Sequence, residues 1–400
     1  MNDKWLYIAQ YFPPGSTVAA RRFTQLMRNR KGVSFAIRRN QPGDGWPAPS
    51  HVGVHTISSI DLRSLMTTDA AQATMFAKKT SGLARLLTLR QAYPFLYLTD
   101  DGGPQYRRKA YAKACELVEK HGITTVFSSF RPWSDHLVAA RVKKRFPEVR
   151  WIADFRDLPV DVVRQDVWWP ALQTWWGKRV VATADELWVV SEGQKEQLSD
   201  WHPRIKVVRN ALLRLPLKSP PPSTRKFTIV YTGSLYAGLQ SMKPLVNAIR
   251  ALLADGTMQP EKTLLMYRGK DGWIFKQQTE KLPAEILDIQ PSIAPASAQK
   301  MQQNAQVLLL LNWSAPAYYG VLTAKLWDYL GSGRPILALV NGPMDPELQH
   351  IIEGADAGAV FAEKQQGEVT DWLRRAYATW QKGGQLPWPV DHGHLSQYLP

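Results

Sequence analysis

The 400-residue chain has a single cysteine, Cys115, which excludes an internal disulfide and fits a reducing compartment. Cys115 falls in a stretch rich in Lys, Arg and Glu, so its expected role is packing. No apolar run approaches the ~18 residues of a membrane span. The first ten residues, Met1 to Gln10, lack the long apolar core of a signal peptide, so a cytoplasmic location is expected. The eight histidines form no His-x-x-x-His pair on a predicted helix, and His392-Gly-His394 is too short a signal, so no metal site is expected. A Gly-x-x-x-x-Gly-Lys-Ser/Thr loop and a Gly-x-Ser-x-Gly elbow are also missing, which disfavours a P-loop nucleotidase and a serine hydrolase. No repeat recurs at solenoid spacing.

Acidic residues are scarce in the first half. Residues 1–218 hold 34 Lys/Arg against 19 Asp/Glu, a net +15, whereas residues 219–400 hold 16 against 15. A basic field confined to one half points to a polyanionic partner, either nucleic acid or an anionic membrane surface.

What is present is an alternation of short apolar runs with helical patterns. Strands are expected at Trp5–Ala9, Val33–Ile37, Val52–Ile57, Thr124–Phe127, Arg150–Ala153, Glu186–Val190 and Lys206–Val208. Helices are expected at Ala19–Asn29, Gln105–His121, Ser134–Phe146 and Ala171–Ala182. Such alternation predicts βαβ units and a parallel sheet. The proline-rich stretch Leu215–Ser223 reads as a stiff linker. The pattern restarts with strands at Phe227–Gly233, Thr263–Tyr267, Val307–Leu311 and Ile336–Val340 and a helix at Met242–Ala254. Two domains follow, 1–214 and 215–384, both α/β and facing a cleft. The amphipathic helix Val369–Gln381 ends at Gly383-Gly384, and residues 385–400 are expected to cross back and complete the first domain.

The segment Gly320-Val321-Leu322-Thr323-Ala-Lys325-Leu-Trp-Asp328, closed by Gly331, Gly333 and Pro335, carries the most chemistry. It lies between two buried-strand patterns and opens a helix. A helix N-terminus presents unpaired N–H groups and partial positive charge to a phosphate. Lys325 adds a full charge there, and Asp328 lies one turn on, where a carboxylate accepts from ribose hydroxyls. Strand, phosphate-binding helix start, carboxylate and strand form the layout of a nucleotide-diphosphate site at the carboxyl edge of a parallel sheet.

Six elements in order resemble the retaining glycosyltransferases of family 4, in the subgroup that makes bacterial surface polysaccharides. They are the loop Tyr11–Phe23, Trp151-Ile-Ala-Asp154-Phe-Arg156-Asp157, Ala184–Glu192, Val207–Asn210, Phe227–Tyr236 and Gly320–Pro335. The resemblance implies the GT-B fold, two Rossmann-like parallel-sheet domains, with the donor nucleotide sugar on the second and the acceptor on the first. It implies no cofactor and no metal. Donor contacts then fall to Gly15, Gly233, Ser234, Gly320, Val321, Leu322, Thr323, Lys325 and Asp328. Lys325, His136 and Arg268 are the catalytic candidates, and Arg21, Arg22, Asp154, Arg156, Asp157 and Asn210 the acceptor-side candidates. The chain departs from the family in two places. Gly320 stands where the family has the first acid of its pair, so either backbone groups near Gly320–Leu322 replace that contact or the donor differs. The turn Gly233-Ser234-Leu-Tyr lacks the family's Arg, and Arg268 is the candidate replacement.

The segment Phe76–Leu98 interleaves Lys78, Lys79, Arg85 and Arg90 with leucines and Phe95, as an interfacial membrane helix does. Together with the resemblance, this predicts a lipid-linked saccharide acceptor and peripheral binding to the anionic inner face of the plasma membrane. The donor-site segment argues against a nucleic-acid partner. A nucleotide-sugar 2-epimerase of the same fold and a non-catalytic polyanion-binding relative are the competing readings. The tryptophans at 168, 169, 175, 176 and 188 are expected in the core.

Overall fold

Continuous apolar runs become strands covered on both faces. In a computed structural model, residues 3–15, 17–28, 32–40, 46–59, 103–164, 167, 169–216 and 223–399 are described. The chain divides into two units, residues 1–210 with Pro400, and residues 211–399.

The first unit carries β1 (Trp5–Ile8), α1 (Val18–Met27), β2 (Ser34–Arg39) and β3 (Val52–Ile57). There follow α2 (Gly103–His121), β4 (Thr125–Phe130), α3 (Trp133–Arg145), β5 (Arg150–Phe155), α4 (Pro170–Val181), β6 (Glu186–Val189), α5 (Glu192–Gln197) and β7 (Ile205–Val207). Every residue of β1 and β4 is buried, as strands between two helix layers must be. The strands are parallel in the order β3-β2-β1-β4-β5-β6-β7. The order reverses between β1 and β4, where Ile8 pairs with Ser128. The Thr17 hydroxyl caps α1 by accepting from the Ala20 N–H at 3.1 Å.

The second unit carries β8 (Phe227–Thr232), α6 (Lys243–Ala254), β9 (Thr263–Arg268), α7 (Gly272–Gln278), β10 (Leu287–Gln290), α8 (Pro295–Asn304) and β11 (Val307–Trp313). Then come α9 (Ala324–Ser332), β12 (Ile336–Asn341), α10 (Pro346–Glu353), β13 (Gly358–Ala362), α11 (Gln366–Gly383) and α12 (His392–Ser396). Its parallel order is β10-β9-β8-β11-β12-β13, reversing between β8 and β11. The α11 helix buries Trp372, Leu373 and Tyr377 in the same apolar layer as Leu245 and Ile249 of α6. Gly384, at φ +67, caps it.

Three expectations change. The unit boundary falls at 210/211, four residues before the expected one. The tail does not complete the first domain. Leu395 and Tyr398 pack with Leu212, Leu326 and Trp327 of the second unit, and Leu212 N–H donates to the Tyr398 carbonyl at 2.8 Å. Of the tryptophans expected in the core, Trp176 and Trp188 are buried, whereas Trp169 and Trp175 are 42% and 52% exposed. Trp168, most of the Leu215–Ser223 linker, and the segment bearing Lys78, Lys79, Arg85, Arg90 and Phe95 lie outside the described residues.

Candidate functional site

Ligands of open parallel sheets bind beyond the strand carboxyl ends where the order reverses. In the second unit that point lies between β8 and β11. The turn after β8, Gly233-Ser234, and the start of α9 meet there through Lys325. Its Nζ donates to the Ser234 carbonyl at 3.1 Å and sits 5.2 Å from the Tyr231 ring centroid. Burial lowers the Lys325 pKa to about 8, and the Asp271 and Asp328 carboxylates act in the opposite direction. Gly233 has φ +100, a conformation that favours glycine, and a Cβ there would press on Lys325 Cε at 2.9 Å and shift that side chain.

Neighbouring side chains brace this turn. The Tyr231 hydroxyl donates to the Ser234 carbonyl at 2.8 Å, and the Tyr267 hydroxyl donates to the Gly233 carbonyl at 3.1 Å. Tyr267 also accepts the Asp271 N–H at 2.9 Å, and Asp271 accepts the Leu235 N–H at 2.9 Å. Burial raises the Tyr267 pKa to about 12, so this hydroxyl keeps its proton.

Thr323 is the N-cap residue of α9, in extended conformation and without a side-chain cap bond. The N–H groups of the first turn have no partner within the helix, so Ala324 and Lys325 present them at the same end as the ammonium. Asp328 lies half-buried one turn on. At the end of β11, both amide atoms of Asn312 and the Trp313 indole nitrogen are buried without a partner among the described residues.

Gly320 and Val321 depart from their expected role. Gly320, at φ +76, donates its N–H to Asp345 Oδ2 at 2.9 Å. Asp345 Oδ1 accepts from the Glu347 and Leu348 N–H groups at 3.1 and 3.0 Å, and the Val321 N–H also contributes. These amides are engaged by a carboxylate from the start of α10 and do not stand in for a missing acid. Leu322 donates its N–H to the Gly320 carbonyl at 2.9 Å. Burial raises the Asp345 pKa, and its backbone donors oppose the rise. Asp345 had a local signal, an acid before Pro346 at a helix start. Nothing local marks Asp271, at the start of α7, as the brace of a turn 36 residues away.

Arg268 is not an available cation. It is 6% exposed, its NH2 binds Asp288 Oδ2 at 2.5 Å, and its NH1 donates to the Tyr267 and Asp288 carbonyls at 2.8 and 3.0 Å. It holds β9 to β10.

In the first unit, the equivalent edge gathers four of the expected residues. Arg22 from α1 makes a bidentate pair with Asp154, Nε–Oδ2 3.2 Å and NH2–Oδ1 2.6 Å, and donates to Asn210 Oδ1 at 3.2 Å. The Ser129 hydroxyl donates to Asp154 Oδ2 at 2.8 Å and accepts from Arg156 Nε at 3.0 Å. Arg22 and Asp154 are 2% and 0% exposed, so their primary work is to tie α1 to β5. Burial lowers the Arg156 pKa, against the pull of Asp157 and Asp154. Arg156 and Asp157 are half-buried and reach solvent beside this network. Arg21 turns away, its guanidinium 5.5 Å from the Trp46 ring centroid.

Gly15 and His136 stand apart from this network. Gly15 exchanges backbone hydrogen bonds with Trp46, at 3.4 and 2.8 Å, so its N–H is engaged. A Cβ on Gly15 would meet only ordinary contacts within the chain. His136 is fully buried among Phe130, Trp133, Trp151 and Phe155. Trp151 Nε1 donates to Ser128 Oγ at 2.8 Å, which leaves the Ser128 hydroxyl to donate to His136 Nδ1 at 2.7 Å. Burial, and then Arg156, lowers the His136 pKa to about 3. It is a neutral core histidine and cannot line a solvent-accessible site.

Among the described residues, no helix is long and apolar enough to cross a membrane, and no His/Cys/Asp/Glu group could hold a metal ion. No family model matches the chain, and no curated protein does. Solved structures do match. Sucrose-phosphate synthase from Thermosynechococcus elongatus aligns at 12% identity over 99% of this chain and 95% of its own, TM-score 0.61. A trehalose-6-phosphate protein from E. coli, bound with UDP-2-fluoro glucose, aligns at 11% identity over 99% and 94%, TM-score 0.59. A glycosyltransferase from Rickettsia africae aligns at 8% identity over 100% and 95%, TM-score 0.57. With two all-parallel α/β units, these likenesses give the chain the GT-B fold of two Rossmann-like domains.

Proposed function

We propose that the chain is a glycosyltransferase that moves a sugar from a nucleoside-diphosphate sugar to a saccharide acceptor. The observation that carries this reading is Lys325, an ammonium with a lowered pKa beside the open first turn of α9, at the point where strand order reverses. The leaving diphosphate gains charge as its bond to the anomeric carbon breaks. A cation and aligned N–H groups already in place stabilise that charge without a metal. Asp328 would accept from the ribose hydroxyls, and the residues from Tyr267 to Lys270 would meet the base. Transfer proceeds with retention, a donor phosphate oxygen taking the acceptor's proton, so no protein base is required. Neutral His136 plays no part in this step.

The acceptor side is assigned to the carboxyl edge of the first unit, where Arg156 and Asp157 reach solvent. A lipid-linked saccharide met at the cytoplasmic membrane face, in capsule, O-antigen or exopolysaccharide assembly, is the acceptor we assign. The +15 charge of residues 1–218 supports it, since each basic residue near an anionic surface contributes about 1 kcal/mol.

The test is a thermal-shift panel of UDP, GDP, TDP, CDP and ADP, with and without EDTA, on wild type and Lys325→Ala. A ligand at about 100 times its Kd stabilises by about 2.7 kcal/mol. One diphosphate that shifts the wild type but not the variant, with or without EDTA, is the expected result. No shift from any diphosphate overturns the reading.

A further inference from the structure

On the outer layer of the first unit, α2, α3 and α4 enclose a groove of about 610 Å³. Its floor is apolar, with Leu137 and Val138 of α3 and Val180 of α4. Its wall carries Arg107, Arg141, Lys143, Lys144 and Arg179, and none of its described lining residues is acidic. Of these cations, Lys143 is committed to Asp185 at 2.9 Å and to the Pro147 and Val149 carbonyls. Arg141, Lys144 and Arg179 are exposed. Arg107 is buried and donates to the Gly103 carbonyl, so the three exposed cations are the ones that repel one another, and an anion that joins them relieves the repulsion.

Beside the groove, the start of α4 exposes large apolar side chains. Trp169, Leu172 and Trp175 are 42%, 38% and 52% exposed. Trp169 precedes the first turn of α4, Leu172 and Trp175 follow on one side of the helix, and Arg179 extends the same stripe. The Arg179 guanidinium stacks over Trp175 at 4.8 Å from the ring centroid, which joins the stripe to the groove. An indole ring with its polar edge toward water suits the boundary between headgroups and acyl chains. The groove flanks the C-terminal halves of α3 and α4, towards the amino ends of β5 and β6, the strands that follow them. It is separate from the Arg22–Asp154 network at the carboxyl edge.

We propose that this groove is a binding site for an anionic phospholipid at a membrane surface. The phosphate-bearing headgroup sits among Arg141, Lys144 and Arg179, the upper acyl chain lies on Leu137, Val138 and Val180, and the tryptophan stripe enters the interface. The charge supplies attraction to an anionic surface, and the apolar stripe supplies insertion. A free phosphate would use the cations but leave floor and stripe unused. A protein partner would use the stripe but has no need of three exposed cations beside an apolar floor. This proposal goes beyond the transferase reading and does not depend on it.

The experiment is co-sedimentation of the full chain with vesicles of phosphatidylcholine, alone or with phosphatidylglycerol as a minor component, at physiological ionic strength. Binding only to the anionic vesicles is expected. Arg141→Glu combined with Lys144→Glu should weaken it at least about tenfold, and Trp175→Ser should weaken it with the charges intact. In solution, calorimetry with monomeric dihexanoyl-phosphatidylglycerol should show binding, and the phosphatidylcholine counterpart and inorganic phosphate should not. Equal binding of inorganic phosphate would overturn the lipid assignment. Unchanged vesicle binding in both variants would overturn the site and move the contact elsewhere on the chain. Both variants should keep their nucleoside-diphosphate thermal shift, so failure here and failure of the transferase reading give different results.

Discussion

Two titratable side chains respond to pH in opposite directions although burial lowers the pKa of both. Lys325 is held near pKa 8 by burial, and a diphosphate placed beside it would raise that value. Binding therefore takes up a proton from about pH 8 upward, and affinity should fall by up to about tenfold per pH unit above it. Calorimetry in buffers of differing ionisation enthalpy measures this uptake. An affinity that is flat from about pH 7 to about pH 9.5 would remove Lys325 from the site. Gly233→Ala should also weaken the diphosphate, because its Cβ displaces the Lys325 side chain, and should cost about 1–3 kcal/mol for a non-glycine residue at that φ. For His136 the folded pKa is about 3 and the unfolded value about 6.5. Between these the unfolded chain binds the extra proton, so stability falls as pH drops, by about 1.4 kcal/mol per unit. Urea midpoints between about pH 7 and about pH 4 should show this slope, and His136→Leu should flatten it.

At the scale of elements, α9 and β11 are legible in the sequence, because Val307–Leu311 is unbroken apolar residues and Gly320–Pro335 holds a helix between start and stop signals. The strands β10 and β13 are not. Leu287-Asp-Ile-Gln290 and Gly358-Ala-Val-Phe-Ala362 are short edge strands, the first with polar residues on one face and the second opened by glycine, so neither shows a buried-strand pattern. The loop before α9 is shaped by Asp345 from another helix. Asp345→Ala should cost about 2–4 kcal/mol, since it leaves the Gly320, Glu347 and Leu348 N–H groups without their acceptor. Denaturant unfolding measures this, and a loss under about 0.5 kcal/mol would contradict the pinning role. Arg22→Met leaves Asp154 buried without its cation, and should cost about 3–5 kcal/mol.

For the whole molecule, the number of sheets and their parallel character were written in the alternation of strands and helices. The ownership of the tail was not. Deleting residues 385–400 removes Leu395 and Tyr398 from the core that holds Trp327 and Leu348. Hydrogen exchange should then quicken in α9 and α10 and stay unchanged in β1 and β4. The reverse pattern would restore the tail to the first unit.

The sequence alone determined the strand runs, the helix start bearing Lys325 and the GT-B resemblance, because each is encoded in neighbouring residues with a fixed period or spacing. Tertiary structure alone decided that His136 is core, that Arg268 answers to Asp288, that Gly320 answers to Asp345 and that Trp175 faces outward. Those fates depend on partners brought together by topology. Arg22 meets Asp154 across 132 residues, and no local pattern in the chain records which carboxylate a cation will find when the sheet closes.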